Sequence, residues 1–340
     1  MRLRFRWLAT VVAAAVLGSL PAAAQAAPVT TCRDLTIPVT LAGAPQSIYG
    51  QLCTPTGAST IQVLVPGASY NHTYWDFPVS PEIRSYRLAM NNAGYATFAL
   101  DRLGTGRSSR PASLALTSLT QADVVHQVVQ AFRTGGNAPK FRKIVLGGHS
   151  VGSAITIIEA GTYHDVDAVL VTGLTHGINA LGAVPIIASL IPASLDAKFG
   201  SGGYDAGYLT TMPGSRFGDF HVPGIRIPAV ADTDEATKDV FAAGEVIDTV
   251  LLGVILPYSR NITAPTMLVM GNDPAFCGIL TAPDCSTAES LRRVETPYYT
   301  PQANLRTFVL RDYGHSLNLA PDAPKYHAAV IAWADSVVGH

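Results

Sequence analysis

The chain has 340 residues and a formal net charge of −1, with 48% hydrophobic and only 14% charged residues. A balance so close to neutral excludes the basic face that a nucleic-acid partner requires, and so much apolar material implies a large buried core. The length suits one domain carrying an insertion as well as it suits two domains.

Arg2, Arg4 and Arg6 precede an apolar run over 8–20, and Ala24-Gln25-Ala26 offers a small-x-small cleavage site. The pattern predicts a secretory signal peptide over 1–26, because the apolar run is short for a membrane anchor. No later stretch is apolar enough to span a bilayer, so an exported, soluble mature chain is expected. The four cysteines are Cys32, Cys53, Cys277 and Cys285. An even count in an exported chain reads as disulfides, with three possible pairings. The local pairs, Cys32 with Cys53 and Cys277 with Cys285, are the expected ones. No His or Cys pair has zinc-finger spacing, so no metal is expected.

Residues 35–41 and 47–53 read as two strands around Gly43-Ala44-Pro45, and 60–65 as a third that runs into Pro66-Gly67-Ala68-Ser69. A helix is predicted over 81–92 and a strand over 95–100. A glycine-punctuated loop, 101–108, follows. Ser118 with Gln121 reads as a capping box, and the helix behind it carries Val124, Val125, Val128, Val129 and Phe132 on one stripe. The run Ile144-Val145-Leu146 predicts a strand, Gly148-His149-Ser150-Val151-Gly152 a sharp turn, and 154–160 a helix. A strand follows over 166–172. The alternation stops at His176: residues 176–262 hold apolar runs, many glycines and no clear strand. It resumes with strands over 265–270 and 305–310. The terminal helix bears Tyr326, Val330, Trp333 and Val337 on one stripe. Strands alternating with helices predict a mainly parallel sheet covered on both faces, with 27–175 and 263–340 forming the core. The segment 176–262 is expected to lie as a cap over the sheet edge where ligands bind.

The turn around Ser150 carries the chemistry. The pattern Gly-x-Ser-x-Gly between strand and helix holds a serine oxygen above a sheet, beside helix amides that stabilise an anion. Serine needs a base, and histidine titrates in the right range. Of nine histidines, His315 follows a predicted strand, on a loop at the edge where Ser150 lies. His149 is expected to point elsewhere and to be structural. His176 and His221 fall in the insertion and could line the pocket. His126, His164 and His327 read as satisfied polar residues. A base needs an acid to fix its tautomer. Asp273 follows the predicted strand at 265–270 and completes the order serine, acid, histidine. Asp284 and Asp312 are its rivals, although Asp312 is too close in sequence to His315 to serve easily.

These motifs, with the loop 101–108, Gly271-Asn272-Asp273 and Gly314-His315, make the chain resemble the α/β-hydrolase superfamily, in particular its secreted lipase- and esterase-like members. The resemblance covers roughly 35–175 and 263–340. It implies an α/β-hydrolase fold and an oxyanion hole from the amides of Val151 and Ala68, with Ser69 as the alternative second donor. The third strand departs from the family by ending in Pro66-Gly67 where His-Gly is usual. The interval from Asp273 to His315 is longer than the family usually shows, and the excess falls over 277–301. The resemblance implies no catalytic role for Asp101. The expected activity is ester hydrolysis through an acyl-enzyme on Ser150, without cofactor, on a small-molecule or lipid ester whose acyl or alcohol group is apolar, as the apolar insertion suggests. Lactonase, peptidase and acyltransferase chemistry share the fold. A non-catalytic binding protein is the reading from another class, and the intact serine, aspartate and histidine speak against it.

Overall fold

The computed structural model describes residues 28–278 and 281–340, so the signal peptide expected over 1–26 lies outside the described residues. The elements run β1 (Thr30–Leu41), β2 (Ala44–Pro55), β3 (Thr60–Val65), α1 (Pro81–Arg84), α2 (Tyr86–Asn92), β4 (Ala96–Leu100), α3 (Ser118–Thr134), β5 (Lys143–His149), α4 (Val151–Tyr163) and β6 (Ala168–Thr172). Then come α5 (Ala180–Ala188), β7 (Leu190–Pro192), β8 (Tyr208–Thr211), α6 (Pro228–Thr237), β9 (Phe241–Ala242) and α7 (Ala243–Asp248). The chain closes with β10 (Thr266–Gly271), α8 (Ala288–Glu295), β11 (Arg306–Leu310) and α9 (Ala323–Val337).

Eight strands form one sheet in the order β1-β2-β4-β3-β5-β6-β10-β11. The β1–β2 and β2–β4 pairs are antiparallel and the others parallel. Every residue of β3, β4, β6 and β10 is buried, as a sheet covered on both faces requires. One face packs against Val124, Val128, Phe132 and Ile155 of α3 and α4. The other packs against Tyr86, Met90, Tyr326 and Val330 of α2 and α9. The stripes expected on α3 and α9 are thus the buried ones, with Val337 at the margin. Cys32 and Cys53 are register partners on β1 and β2 and are disulfide-bonded. Cys277 and Cys285 form the second disulfide.

Four expectations need correction. The 81–92 helix is two helices broken at Ser85, whose extended backbone lets its hydroxyl cap α2 by accepting from the Leu88 amide at 2.9 Å. The capping box on α3 is formed by Thr117 and Thr120, one residue earlier than expected. Gln121 is turned instead to the buried loop, where it donates to the Leu103 carbonyl (2.9 Å) and to Glu245 (3.0 Å). The turn between β1 and β2 sits at Ala42-Gly43, both at positive φ, so the strands are longer than predicted. Finally, 176–262 does contain strands: β7, β8 and β9 form a three-stranded antiparallel sheet. At two to four residues each, they are too short to show an alternation in the sequence.

Candidate active site

Ser150 sits between β5 and α4 at φ 56°, ψ −121°. That backbone is costly for a residue with a side chain and is held by close packing of its neighbours. A Cβ at position 148 would stand 2.2 Å from the Gly152 carbonyl oxygen, and one at 152 would stand 2.3 Å from that of Val65. Glycine is therefore required at both places. The Ser150 amide donates to the Thr172 carbonyl at 2.8 Å, which ties the turn to the neighbouring strand.

His315 follows β11 and is buried; its Nδ1 lies 2.5 Å from Asp273 Oδ2. Asp273 follows β10 and is buried as well, and its Oδ1 accepts from the Ala275 amide at 2.9 Å. The rivals stand elsewhere: Asp284 caps its own loop through the Ser286 amide, and Asp312 is exposed. Ser150 and His315 line one cavity together with Ala68, Ser69 and Val151. They are not hydrogen-bonded to each other in this conformation, and such bonds often tighten only when substrate is seated. The rest of the lining is apolar apart from Thr249, and includes Ile186, Phe220, Phe241, Val250 and Phe276.

The loop before the candidate oxyanion donors is clamped from beneath. Arg102, fully buried, donates to the Pro66 (2.8 Å) and Gly67 (2.6 Å) carbonyls and pairs with Glu245 at 2.8 Å. This fixes the path of a chain that carries proline where the resembling family has histidine. Ser69 has φ 57°, and its hydroxyl accepts from Arg216 at 2.9 Å. Asp101 accepts from the His72 amide and ring and from the Arg107 amide, so it organises its own loop.

The histidines differ from expectation in three places. His149 does not point away: its ring stacks on Tyr74 at 4.2 Å and lies 4.7 Å from the His315 ring. Burial, helped by the neighbouring His315, pushes its pKa well below the usual range, so it is a neutral neighbour of His315. His176 and His221 do not line the cavity. His176 bridges Glu295 (2.6 Å) and Ser259 (2.8 Å), and His221 bridges Asp234 (2.9 Å) and the Tyr313 hydroxyl (3.0 Å). Buried imidazoles so paired are structural. Phe220 and Phe276, which flank the His315 ring at 5.7 and 5.6 Å, were not among the expected site residues. Single aromatic residues in irregular segments carry no sequence signal of where they fold.

Residues 62–324 match the Alpha/beta hydrolase family. Among curated proteins none matches the chain. Solved structures share its fold at low identity. The esterase from Exiguobacterium antarcticum is 15% identical, with a TM-score of 0.59 over 85% of this chain and 95% of that one. A soluble variant of the monoglyceride lipase of Saccharomyces cerevisiae, in complex with a substrate analogue, is 16% identical, with a TM-score of 0.59 over 86% of this chain and 92% of that one. A membrane phospholipase A described as a bacterial virulence factor is 17% identical, with a TM-score of 0.57 over 90% of this chain and 87% of that one. Matched along most of its length by the family's own sequence pattern, the chain belongs to the alpha/beta hydrolase family.

Proposed function

We propose that the protein is an exported serine hydrolase that cleaves carboxylic esters with an apolar acyl or alcohol part. The observation that carries this reading is the meeting of Ser150 with the His315–Asp273 pair at the polar end of an otherwise apolar cavity. His315 takes the Ser150 proton as Oγ attacks the ester carbonyl, and Asp273 holds the imidazole in the tautomer that leaves Nε2 free. The amides of Val151 and Ala68 receive the developing oxyanion; neither is bonded to a protein acceptor among the described residues. His315 returns the proton to the leaving alcohol, then draws one from water, which releases the acid from Ser150. The segment 176–262 acts as the cap that selects substrate, since it contributes Ile186, Phe220, Val250 and others to the cavity.

One feature supports export: both disulfides are formed. No helix among the described residues is long and apolar enough to cross a membrane. Ile187, which lines the cavity and is largely exposed, fits substrates that are poorly soluble in water. The test is twofold. A fluorophosphonate should label wild type at Ser150, and p-nitrophenyl esters of increasing chain length should be hydrolysed. An unlabelled, inactive wild type would favour a binding protein instead.

A further inference from the structure

Away from the cavity, His126 on α3, Glu159 near the end of α4 and Asp165 just after it bring three ligating atoms within 4.8 Å of one another. Glu159 is fully buried, yet neither carboxylate oxygen has a hydrogen-bond partner. His126 Nδ1 lies 2.9 Å from Asp165 Oδ2 and 3.7 Å from Glu159 Oε1, but its N–H is aligned on neither. Asp165 Oδ1 is also buried without a partner. A buried carboxylate left unpaired is expensive, and native chains rarely leave one so.

We infer that His126, Glu159 and Asp165 form a binding site for one divalent cation of the zinc type. Oxygens that crowd beside a ring nitrogen, off the axis of its lone pair, stand where further ligands to a shared ion stand. One imidazole and two carboxylates suit zinc, and the two negative charges balance it. Access is open, because His126 also lines a surface hollow between the β1–β2 turn and α3, beside Asp123 and Gln127. The ring is held in place by stacking on Tyr163 at 3.7 Å, and the Tyr163 hydroxyl donates to Asp123 at 2.5 Å. In this assignment His126 is a ligand, where the sequence alone reads a satisfied polar residue, and no sequence spacing marks the site because its ligands are scattered over two helices and a loop. The site would fasten the far end of the helix that begins beside Ser150.

Untagged protein stripped with a chelator can be titrated calorimetrically with zinc chloride. One saturable site per chain is expected, with the melting temperature rising as it fills, because an ion held only by the folded chain stabilises it. Glu159→Gln keeps the shape and removes the charge, and it should weaken zinc binding by at least ~10-fold while its circular dichroism matches wild type. No saturable binding, or binding that Glu159→Gln leaves unchanged, overturns the assignment and makes Glu159 a buried protonated carboxyl. Should Glu159→Gln not fold, X-ray absorption on zinc-loaded wild type decides. One imidazole with oxygen ligands supports the site, and two or more imidazoles place the ion elsewhere.

Discussion

The two sides of the 176–262 segment are held by different physics. On one side, Arg216 donates to both oxygens of Asp234 at 2.9 Å and lies over the Tyr70 ring at 4.3 Å, all buried. His221 continues this network to Tyr313, and the amides of Gly314 and Ser316 donate to the His221 and Phe220 carbonyls. The chain on either side of His315 is thereby stitched to the 176–262 segment. On the other side, α5 buries none of its residues, and residues 178–195 contain no charge. Leu181 is 85% exposed and Ile187 66%. The stitched side holds the loop that carries His315, while the apolar side lines the cavity through Ile186 and Ile187 and leaves apolar surface exposed. Networks of buried charges specify one geometry; exposed apolar surface is free to rearrange around an apolar ligand.

Four experiments would break or sharpen this contrast. Ser150→Ala, which touches neither side, should lower ester hydrolysis by about 10³-fold or more at unchanged melting temperature. Retained activity would remove the reason for calling either side part of an active site.

Asp234→Asn attacks the stitched side. Removing one partner of a buried ion pair costs about 3–5 kcal/mol, so denaturant unfolding should shift by that order. Catalysis should fall too, since the base loop loses its support. Burial alone would raise the Asp234 pKa; the Arg216 guanidinium and the His221 bond outweigh it and hold it down to about 2. An unfolded aspartate titrates near ~3.9. The pair's stabilisation is therefore present above about pH 4 and is lost as pH falls toward 2. A variant with an unaltered acid-unfolding midpoint would show that the network is not what holds this side.

The Cys277→Ser/Cys285→Ser pair tests what anchors the apolar side. The loop after Asp273 accepts from Asn179 at the Pro274 carbonyl (2.9 Å) and donates from Thr281 to the Ile178 carbonyl (2.7 Å), just before α5. Losing a bond that closes so short a loop should cost about 2–3 kcal/mol. If the loop also positions Asp273, kcat should fall at a temperature where the variant stays folded; a lower melting temperature with unchanged kcat would confine the bond to stability.

Ile187→Asp should have the smallest effect on folding, within about 0.5 kcal/mol, because the residue is exposed. It should nevertheless lower kcat/KM for long-chain esters by roughly 10-fold relative to short ones, since it places a charge at an apolar cavity wall. An unchanged chain-length profile would detach this side from substrate choice.

The parallel sheet, the turn at Ser150 and the order of Ser150, Asp273 and His315 were legible in the chain alone, because each is a local pattern. A buried strand must be a run of apolar residues, and a turn that leaves no room for a Cβ must be glycine. The two disulfides were legible for the same reason, since partners 21 and 8 residues apart meet through short loops. The tertiary structure alone decided the rest. Arg102, Arg216, Phe220, Phe276 and the cluster of His126, Glu159 and Asp165 act through contacts between distant segments. Nothing in a neighbouring residue marks an arginine that will be buried, a phenylalanine that will flank His315, or a carboxylate that will lack a partner. His149 shows the limit most clearly: it stands next to Ser150 in the chain, yet its place against Tyr74 and His315 depends on strands and loops that only folding brings together.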